Sequence, residues 1–344
     1  MRSSCSRVAF AIALFPLLFA CAPDTPEEHV SQPDAAAAPA GADLVLVNGA
    51  IYTVDPARSW AEAVAISGDR IAFVGSNEGA MSEAVRIVSP IDGSIVAERA
   101  YATDAEVEAA LAAARAAQAE WAMVPVAERA AICLAMLDAM LGMQEDLTVE
   151  LARMMGRPVR YGGEMGGFAE RIRYMASIAP TALAAQEIEY HPARRRLIAR
   201  EPLGLVLVVA PWNYPYMTAV NTVVPALIAG NAVLLKAASQ TLLVGERFAR
   251  AFAAAGLPEG LFHHLVVSHA QTEHLLATRA VDHVSFTGSV AGGRAIERAA
   301  AGTFMSVALE LGGKDPAYVR ADANLDHAVE NLVDGAFFNS GQSC

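Results

Sequence analysis

Residues 203–236 read LGLVLVVAPWNYPYMTAVNTVVPALIAGNAVLLK, and this stretch decides the fold. Apolar runs over 203–210 and 232–236 flank a helical pattern over 217–229. Two uninterrupted apolar strands joined by a helix are typical of a parallel sheet that is covered on both faces. The stretch therefore predicts a β–α–β unit of an α/β protein.

The same alternation continues toward the carboxyl end of the chain. Strands are predicted over 261–267 and 282–287, and helices over 241–255, 269–277 and 291–301. This order predicts the fold class α/β with a doubly wound parallel sheet. Such sheets bind ligands beyond the carboxyl ends of their strands, so the residues that follow each strand are the functional candidates.

The region before this sheet is predicted to be mainly helical. Thr103 and Glu106 have the spacing of a capping box, which predicts a helix through about Gln118. Further helices are predicted over 126–141, 144–155 and 163–185. The three arginines at 194–196 are interpreted as a solvated turn before a strand, with phosphate binding as the alternative.

Residues 1–21 have a different character. Arg2 and Arg7 precede an apolar run over 8–20, shorter than the ~20 residues that cross a bilayer. A basic start before a short apolar run is typical of an export signal, and its ending LFAC resembles a lipoprotein site with Cys21 as the lipidated residue. We expect an exported, membrane-anchored protein where this signal is used and a cytoplasmic one where it is not.

Two further segments precede the helical region. Residues 22–42 are rich in proline and alanine and predict a disordered linker, and residues 43–80 predict a small β segment. Residues 43–75 resemble the opening strands of the amidohydrolase superfamily, in which a metal-binding H-x-H follows. None of the eight histidines has that spacing, so we expect no metal site.

Composition excludes several classes of protein. The 344 residues include 25 Lys and Arg against 37 Asp and Glu, a net charge of −12, so we expect no nucleic-acid partner. Hydrophobic residues make up 54% of the chain, which excludes a wholly disordered protein. The four cysteines include no C-x-x-C pair, which argues against a zinc or redox site.

Polar groups and glycines follow the predicted strands. The prolines of PWNYP (211–215) hold Asn213 as an amide donor, unless its side chain only makes an Asx turn. Lys236 closes the second strand, where its ammonium can bind a sugar or phosphate or extend to solvent. Residues 286–293, FTGSVAGG, open a helix whose amino end favours an anion.

Two more candidate residues lie near the carboxyl end. Glu310 precedes a Gly-Gly turn in LELGGKDP, and FFNSGQSC ends on Cys344. Taken alone, Glu310 can be a helix cap or an ion-pair partner, and Cys344 can be a buried apolar residue. Their interpretation depends on the whole set of motifs.

That set resembles the aldehyde dehydrogenase superfamily over residues 82–344. PWNYP, the strand-end Lys236, FTGSVAGGR, LELGGKDP and FNSGQSC occur in the family's order and with similar spacing. The resemblance implies an amino-terminal, cofactor-binding domain over 81–309 and the start of a catalytic domain over 310–344. It also implies that the sequence is truncated before most of the catalytic domain and before the strand used in oligomer assembly.

The resemblance implies oxidation of a small-molecule aldehyde to a carboxylic acid with NAD or NADP. Cys344 would be the nucleophile that forms a thioester, Asn213 and the Cys344 N–H would stabilise the oxyanion, and a partly buried Glu310 would activate water. Because the sequence stops at Cys344, we expect no turnover from the 344-residue chain. A non-catalytic exported lipoprotein with a dehydrogenase-like body is the alternative.

The cofactor contacts follow from the same resemblance. They are Val209, Pro211, Trp212, Lys236, Ser239, Phe286, Thr287, Gly288, Ser289 and Gly293. Lys236 would bind the adenosine ribose, and Gly288 and Ser289 would lie at the pyrophosphate. Ser239 stands where many NAD-preferring relatives carry glutamate, which leaves NADP open. Members of the family are homo-oligomers, and membrane contact is expected only through the N-terminal lipid.

Overall fold

The structure, a computed structural model, describes residues 44–46, 49–53, 60–67, 70–75, 84–191 and 194–343. The expected export signal with Cys21, the expected linker over 22–42 and the expected nucleophile Cys344 lie outside these residues. Within the described ranges, no helix is both long and apolar enough to cross a membrane.

The segment before residue 80 contains short antiparallel strands, as its alternating sequence predicts. They are β1 (Leu44–Leu46), β2 (Ile51–Tyr52), β3 (Trp60–Ala61), β4 (Ala63–Ser67) and β5 (Arg70–Gly75). One sheet has the order β1–β4–β5, and β2 pairs with β3.

A hairpin and four helices follow. They are β6 (Ala84–Val88), β7 (Ile95–Ala100), α1 (Asp104–Trp121), α2 (Val126–Leu141), α3 (Gln144–Met155) and α4 (Met165–Ala182). The predicted capping box is present at α1, because the Thr103 hydroxyl accepts from the Glu106 N–H and the Glu106 carboxylate accepts from the Thr103 N–H. Helix α1 extends three residues beyond the predicted end at Gln118.

The arginines at 194–196 lie in a strand, and the predicted turn is wrong. They begin β9 (Arg194–Ile198), which pairs antiparallel with β8 (Gln186–His191). All five residues of β9 are exposed, and Arg195 forms an ion pair with Glu187 at 3.1 Å. A strand exposed along its whole length lacks the apolar alternation by which sequence patterns reveal strands.

The predicted doubly wound parallel sheet is confirmed. Its strands are β10 (Leu205–Val209), β11 (Ala232–Lys236), β12 (Phe262–His264), β13 (His283–Gly288) and β14 (Ser306–Leu311), in the order β12–β11–β10–β13–β14. The connecting helices are α5 (Pro215–Ile228), α6 (Leu243–Ala254), α7 (His269–Ala277) and α8 (Val290–Ala300). The strand order reverses at β10, so the ligand crevice is expected between β10 and β13.

Two strands of this sheet differ from the sequence prediction. β12 is shorter than the predicted 261–267, and as an edge strand it pairs only with β11. β14 was not predicted, and it pairs with β13 along its whole length. The domain boundary expected at residue 310 therefore falls inside a strand of the parallel sheet.

An aromatic cluster joins the helices to the sheet. It consists of Phe168, Tyr216, Phe248, Phe252 and Phe262, with neighbouring ring centroids 4.9 to 6.4 Å apart. Full burial of a large apolar side chain contributes about 1.5–3 kcal/mol. Tyr216 lies in the first turn of α5, so the cluster also fixes the end of the 211–215 turn.

The chain beyond β14 is packed differently. Helix α9 (Leu325–Phe337) begins at Asn324, whose side chain accepts a hydrogen bond from the His327 N–H. Helix α9 contains no buried residue. A short 3-10 helix, Phe338–Gly341, follows it.

Candidate active site

Strand register brings the predicted residues to one edge of the sheet. Val209, at the end of β10, is paired with Lys236 on one side and with Phe286 on the other. One position further along, Thr287 is paired with Glu310. Residues from four strands therefore meet at the carboxyl edge, as the parallel arrangement predicts.

Lys236 is buried at this edge, with 7% of its surface exposed. Burial lowers its pKa, because the ammonium loses hydration. Within the described part of the chain, its ammonium has no hydrogen bond or ion pair. Lys236 as a whole is buried, whereas Ser239, the first residue of a 3-10 turn just after it, is exposed.

The glycines after β13 provide room for the Phe286 ring. A Cβ at Gly288 or Gly292 would lie 2.7 or 2.6 Å from the tip of that ring, and a Cβ at Gly293 would lie 2.6 Å from Leu311. Ser289 caps α8 by accepting a hydrogen bond from the Gly292 N–H at 3.0 Å. Ser289 and Val290 are exposed, so the amino end of α8 faces solvent and can receive an anionic group.

These features fit a dinucleotide. Lys236, whose ammonium makes no hydrogen bond or ion pair with the described residues, lies on β11, and an exposed helix terminus follows β13. Both features lie at the carboxyl edge, where a doubly wound sheet binds its ligand.

The turn after β10 holds Asn213 against the end of the described chain. The Asn213 amide donates to the Gln342 carbonyl at 2.7 Å, and the Asn213 carbonyl accepts from the Asn339 amide at 3.0 Å. The Asn213 side-chain oxygen also accepts from the Tyr214 N–H at 3.1 Å, as in a local side-chain turn. An amide nitrogen carries two hydrogens, so one donor remains for a ligand. Pro211 and Trp212 begin this turn, and Trp212 is partly exposed.

Residues 338–343, here called the cysteine-side segment, lead into Cys344. Asn339 and Ser340 have left-handed backbone angles, with φ of 53° and 59°, and the Asn339 side chain is fully buried. The hydroxyls of Ser343 and Tyr214 form a hydrogen bond of 2.7 Å. The segment is thus joined to the 211–215 turn by three hydrogen bonds.

Glu310 differs from the expectation of partial burial, because it is exposed. It lies on β14, the edge strand of the sheet, and neither Glu310 nor Leu311 is buried. Its backbone is paired with Thr287 of β13.

Cys133 lies on α2 and is fully buried. Burial raises the pKa of its thiol to about 12, so it is protonated at neutral pH. His263 and His264 lie side by side on β12, and burial lowers the pKa of His264 to about 4. Among the described residues, no group of three or more His, Cys, Asp or Glu could hold a metal ion.

Two buried charges near the 211–215 turn were missed by sequence reasoning. Arg157 and Glu164 lie in the connection between α3 and α4, and each has about 5% of its surface exposed. The Glu164 carboxylate accepts from the Met217 N–H at 2.7 Å, in the first turn of α5. That contact joins residues 53 positions apart, so no local pattern indicates it.

Comparison with known proteins gives a consistent result. Residues 77–344 match the profile of the aldehyde dehydrogenase family. The chain is 36% identical over 261 residues to benzaldehyde dehydrogenase (NAD(+)) of Pseudomonas putida, which covers 75% of this chain and 53% of that protein. It is 35% identical over 270 residues to NADP-dependent glyceraldehyde-3-phosphate dehydrogenase of Streptococcus equinus. That alignment covers 76% of this chain and 56% of the Streptococcus equinus protein.

The fold also matches solved structures. The NAD-dependent benzaldehyde dehydrogenase from Corynebacterium glutamicum aligns with a TM-score of 0.70 at 34% identity, over 76% of this chain and 58% of that one. The chain spans about half the length of the curated relatives it matches.

Proposed function

Because this chain belongs to the aldehyde dehydrogenase family, we propose that its site serves the NAD(P)-dependent oxidation of an aldehyde to a carboxylic acid. The observation that carries the proposal is the 2.7 Å hydrogen bond from the Asn213 amide to the Gln342 carbonyl. Gln342 precedes Cys344 by two positions in the sequence, so this contact supports Asn213 as the oxyanion donor. The relatives' names support the reaction class, since they are NAD- or NADP-dependent aldehyde dehydrogenases.

Three residues of this chain would have separate roles in the reaction. The Cys344 thiolate adds to the aldehyde carbonyl carbon, and the free N–H of Asn213 with the Cys344 N–H stabilises the resulting oxyanion. The C–H bond of this adduct would then break with loss of hydride, for which bound NAD or NADP would supply the acceptor, and the carbonyl would re-form as the Cys344 thioester. Glu310 then takes a proton from the water that hydrolyses the Cys344 thioester, and the thiol leaves.

The cofactor would be held at the carboxyl edge of the sheet. Lys236 would donate to the adenosine ribose, and the amino end of α8 with Gly288 and Ser289 would face the pyrophosphate. The remaining contacts come from Val209, Pro211, Trp212, Phe286, Thr287 and Gly293. Ser239 is uncharged and exposed, so it offers no repulsion to a 2′-phosphate, and we propose that NADP binds within about tenfold of NAD.

Calorimetric titration of the 344-residue chain with NAD and with NADP tests this assignment. Lys236→Ala should weaken both cofactors by at least about tenfold, because hydrogen bonds to charged groups contribute about 1.5–3 kcal/mol. Arg320→Ala is the matched control, since it removes one cation from an exposed position and should change neither affinity. Equal affinities for the parent and Lys236→Ala would overturn the assignment.

Turnover is a separate part of the proposal. Glu310 is exposed, and among the described residues no hydrogen bond or ion pair fixes its carboxylate where it would activate a water. We therefore expect no measurable reduction of NAD or NADP by an aldehyde with the 344-residue polypeptide. A rate that is present in this polypeptide and lost in Cys344→Ala would contradict that expectation.

The location of the protein is the last part of the proposal. Residues 1–21 would direct export, with lipid attached at Cys21. A reporter enzyme fused after residue 45 should cross the inner membrane, and palmitate labelling should be lost in Cys21→Ser. A reporter that stays in the cytosol would refute both the export assignment and the alternative of a non-catalytic lipoprotein.

A further inference from the structure

We propose that Arg157 is a positioning residue for the cysteine-side segment and that it acts through Tyr214. The inference rests on the proposed function, because that function makes Cys344 the nucleophile. The contacts that carry it are independent of any cofactor or substrate. They form a chain from Arg157 to the Tyr214 ring, and from the Tyr214 hydroxyl to Ser343.

The first step is the placement of the Arg157 guanidinium. Arg157 is buried, with 5% of its surface exposed, and its Nε donates to the Gly162 carbonyl at 2.9 Å. Its guanidinium carbon lies 5.1 Å from the centre of the Tyr214 ring. A desolvated cation over an aromatic face is a directional contact, so it fixes the tilt of that ring.

The second step leads from the ring to the cysteine side. The Tyr214 hydroxyl bonds the Ser343 hydroxyl at 2.7 Å, and Ser343 directly precedes Cys344. Tyr214 also follows Asn213, whose side chain accepts from the Tyr214 N–H. A change in the tilt of the ring therefore moves both the hydroxyl that holds Ser343 and the neighbouring oxyanion donor.

The third step is direct contact between the connection around Arg157 and the cysteine-side segment. The Ser340 hydroxyl donates to the Gly156 carbonyl at 3.4 Å. The Tyr161 and Phe338 rings are 4.5 Å apart. Arg157 thus lies between two residues that touch the segment.

The fourth step concerns a second buried ionisable group, Glu164. Burial raises the pKa of Glu164 to about 7, the positive charge of Arg157 opposes that rise, and the two make no ion pair. One nitrogen of Arg157 and one oxygen of Glu164 are buried without a hydrogen-bond partner among the described residues. Glu164 holds the Met217 N–H, so it fixes the start of α5 on the other side of Tyr214.

Hydrogen exchange of the peptide over 338–344 tests the proposal in the 344-residue chain without cofactor. We expect Arg157→Met and Tyr214→Phe each to raise the exchange rate about threefold to tenfold, which corresponds to the loss of one such contact. Arg157→Lys keeps the cation and should restore most of the protection. The double variant should exchange no faster than about twice the faster single variant, because the two residues act in series.

Arg129→Met is the matched control. Arg129 is also a buried arginine, with 6% of its surface exposed, but it donates to the Trp121 and Ala122 carbonyls at the end of α1. Its loss should lower the overall stability and change exchange over 338–344 by less than twofold. Exchange in Arg157→Met within twofold of the parent, or effects that multiply in the double variant, would overturn the proposal. Tyr214→Phe keeps the test valid if Arg157→Met fails to fold.

A second readout connects the contact to the nucleophile. The rate at which iodoacetamide alkylates Cys344 can be followed by mass spectrometry as a function of pH. We expect the midpoint of this pH profile to lie at least about 0.3 pH unit higher in Arg157→Met and in Tyr214→Phe than in the parent. A loosened segment would hold Cys344 less constantly near the free N–H of the Asn213 amide, and a hydrogen bond to the thiolate favours that form. Cys133 is buried and serves as an unreactive internal reference. An unmoved midpoint overturns the positioning role, whereas failure of the cofactor titration would refute the proposed function and leave these results standing.

Discussion

Strand β10 and helix α9 are both rich in apolar residues, yet they are buried to opposite degrees. Leu205, Val206 and Leu207 on β10 are at most 1% exposed, because helices cover both faces of the sheet. Leu325 and Phe337 on α9 are 67% and 70% exposed. Local sequence pattern sets the type of an element in both regions, but burial is set by the surface that lies opposite.

The comparison has an energetic consequence. Apolar side chains in the packed region contribute through area removed from water, whereas those on α9 contribute almost nothing to the free energy of unfolding. An exposed apolar face of this kind is typical of an interaction surface. The two regions should therefore respond very differently to the same substitution.

The largest expected difference is between two phenylalanines. Phe248 is fully buried in the aromatic cluster, and Phe248→Ala should lower the free energy of unfolding by about 3–5 kcal/mol. Phe337→Ala on α9 should change it by less than about 0.5 kcal/mol. Denaturant titration of both variants measures the contrast, and similar losses would show that α9 is packed in solution.

A buried carboxyl gives the next largest effect. Burial raises the pKa of Glu164 to about 7 from its ordinary 4.5, although the Met217 N–H and the charges of Arg157 and Arg171 oppose the rise. The folded state therefore holds the proton more tightly than the unfolded state. The stabilising contribution is fully present below about pH 4.5 and is lost as the pH rises toward about 7, a total of about 3 kcal/mol at ~1.4 kcal/mol per unit.

Glu164→Gln should remove that part of the pH dependence between pH 5 and pH 8. Glu330→Gln, at an exposed position of α9, is the control and should leave the dependence as in the parent. Denaturation midpoints at the two pH values provide the measurement. The predicted direction would be wrong if the stability of the parent chain rose from pH 5 to pH 8 and Glu164→Gln reduced that rise.

Helix caps give a smaller and more local effect. Thr103→Ala removes the capping box of α1 and should cost about 1 kcal/mol of overall stability. Asn324→Ala removes the cap of α9, where few contacts transmit the loss. We expect amide exchange along α9 to rise about fivefold while the denaturation midpoint stays unchanged, and a lowered midpoint would indicate that α9 unfolds together with the sheet.

The smallest expected effect is on the exposed face of α9. Val329 and Val333 are 59% and 52% exposed. Their joint replacement by glutamine should leave stability within about 0.5 kcal/mol and reduce the binding of a hydrophobic dye. Unchanged dye fluorescence would show that the dye binds an apolar surface other than the exposed face of α9.

Features coded within a few residues could be predicted from the sequence. The capping box at Thr103 needs only four residues, and β10 and β11 are continuous apolar runs. The position of Lys236 at a strand end follows directly from those runs. Its burial was not predicted, because a lysine at a strand end can also extend to solvent, and the structure decides between the two.

Features that depend on distant surfaces could not be predicted. The exposure of Glu310 depends on what covers β14, and the strand at Arg194–Ile198 lacks alternation because both its faces meet solvent. Asn213 and Gln342 meet across 129 positions, and here only the resemblance to a family brought the two motifs together. Arg157 and Glu164 belong to no motif, so only the structure reveals them.

The strand order of the cofactor sheet has a consequence for synthesis on the ribosome. Asn231, which binds the backbone N–H of Gly204, follows it by 27 residues, whereas Asp282, which binds the N–H of Leu205, follows by 77. Ribosomes add about 5–20 residues per second, so the edge of β10 that pairs with β13 stays unpaired for about 4–15 s during synthesis. The central strand is thus open to wrong pairing for seconds in every molecule made, and the ligand crevice exists only after that interval ends.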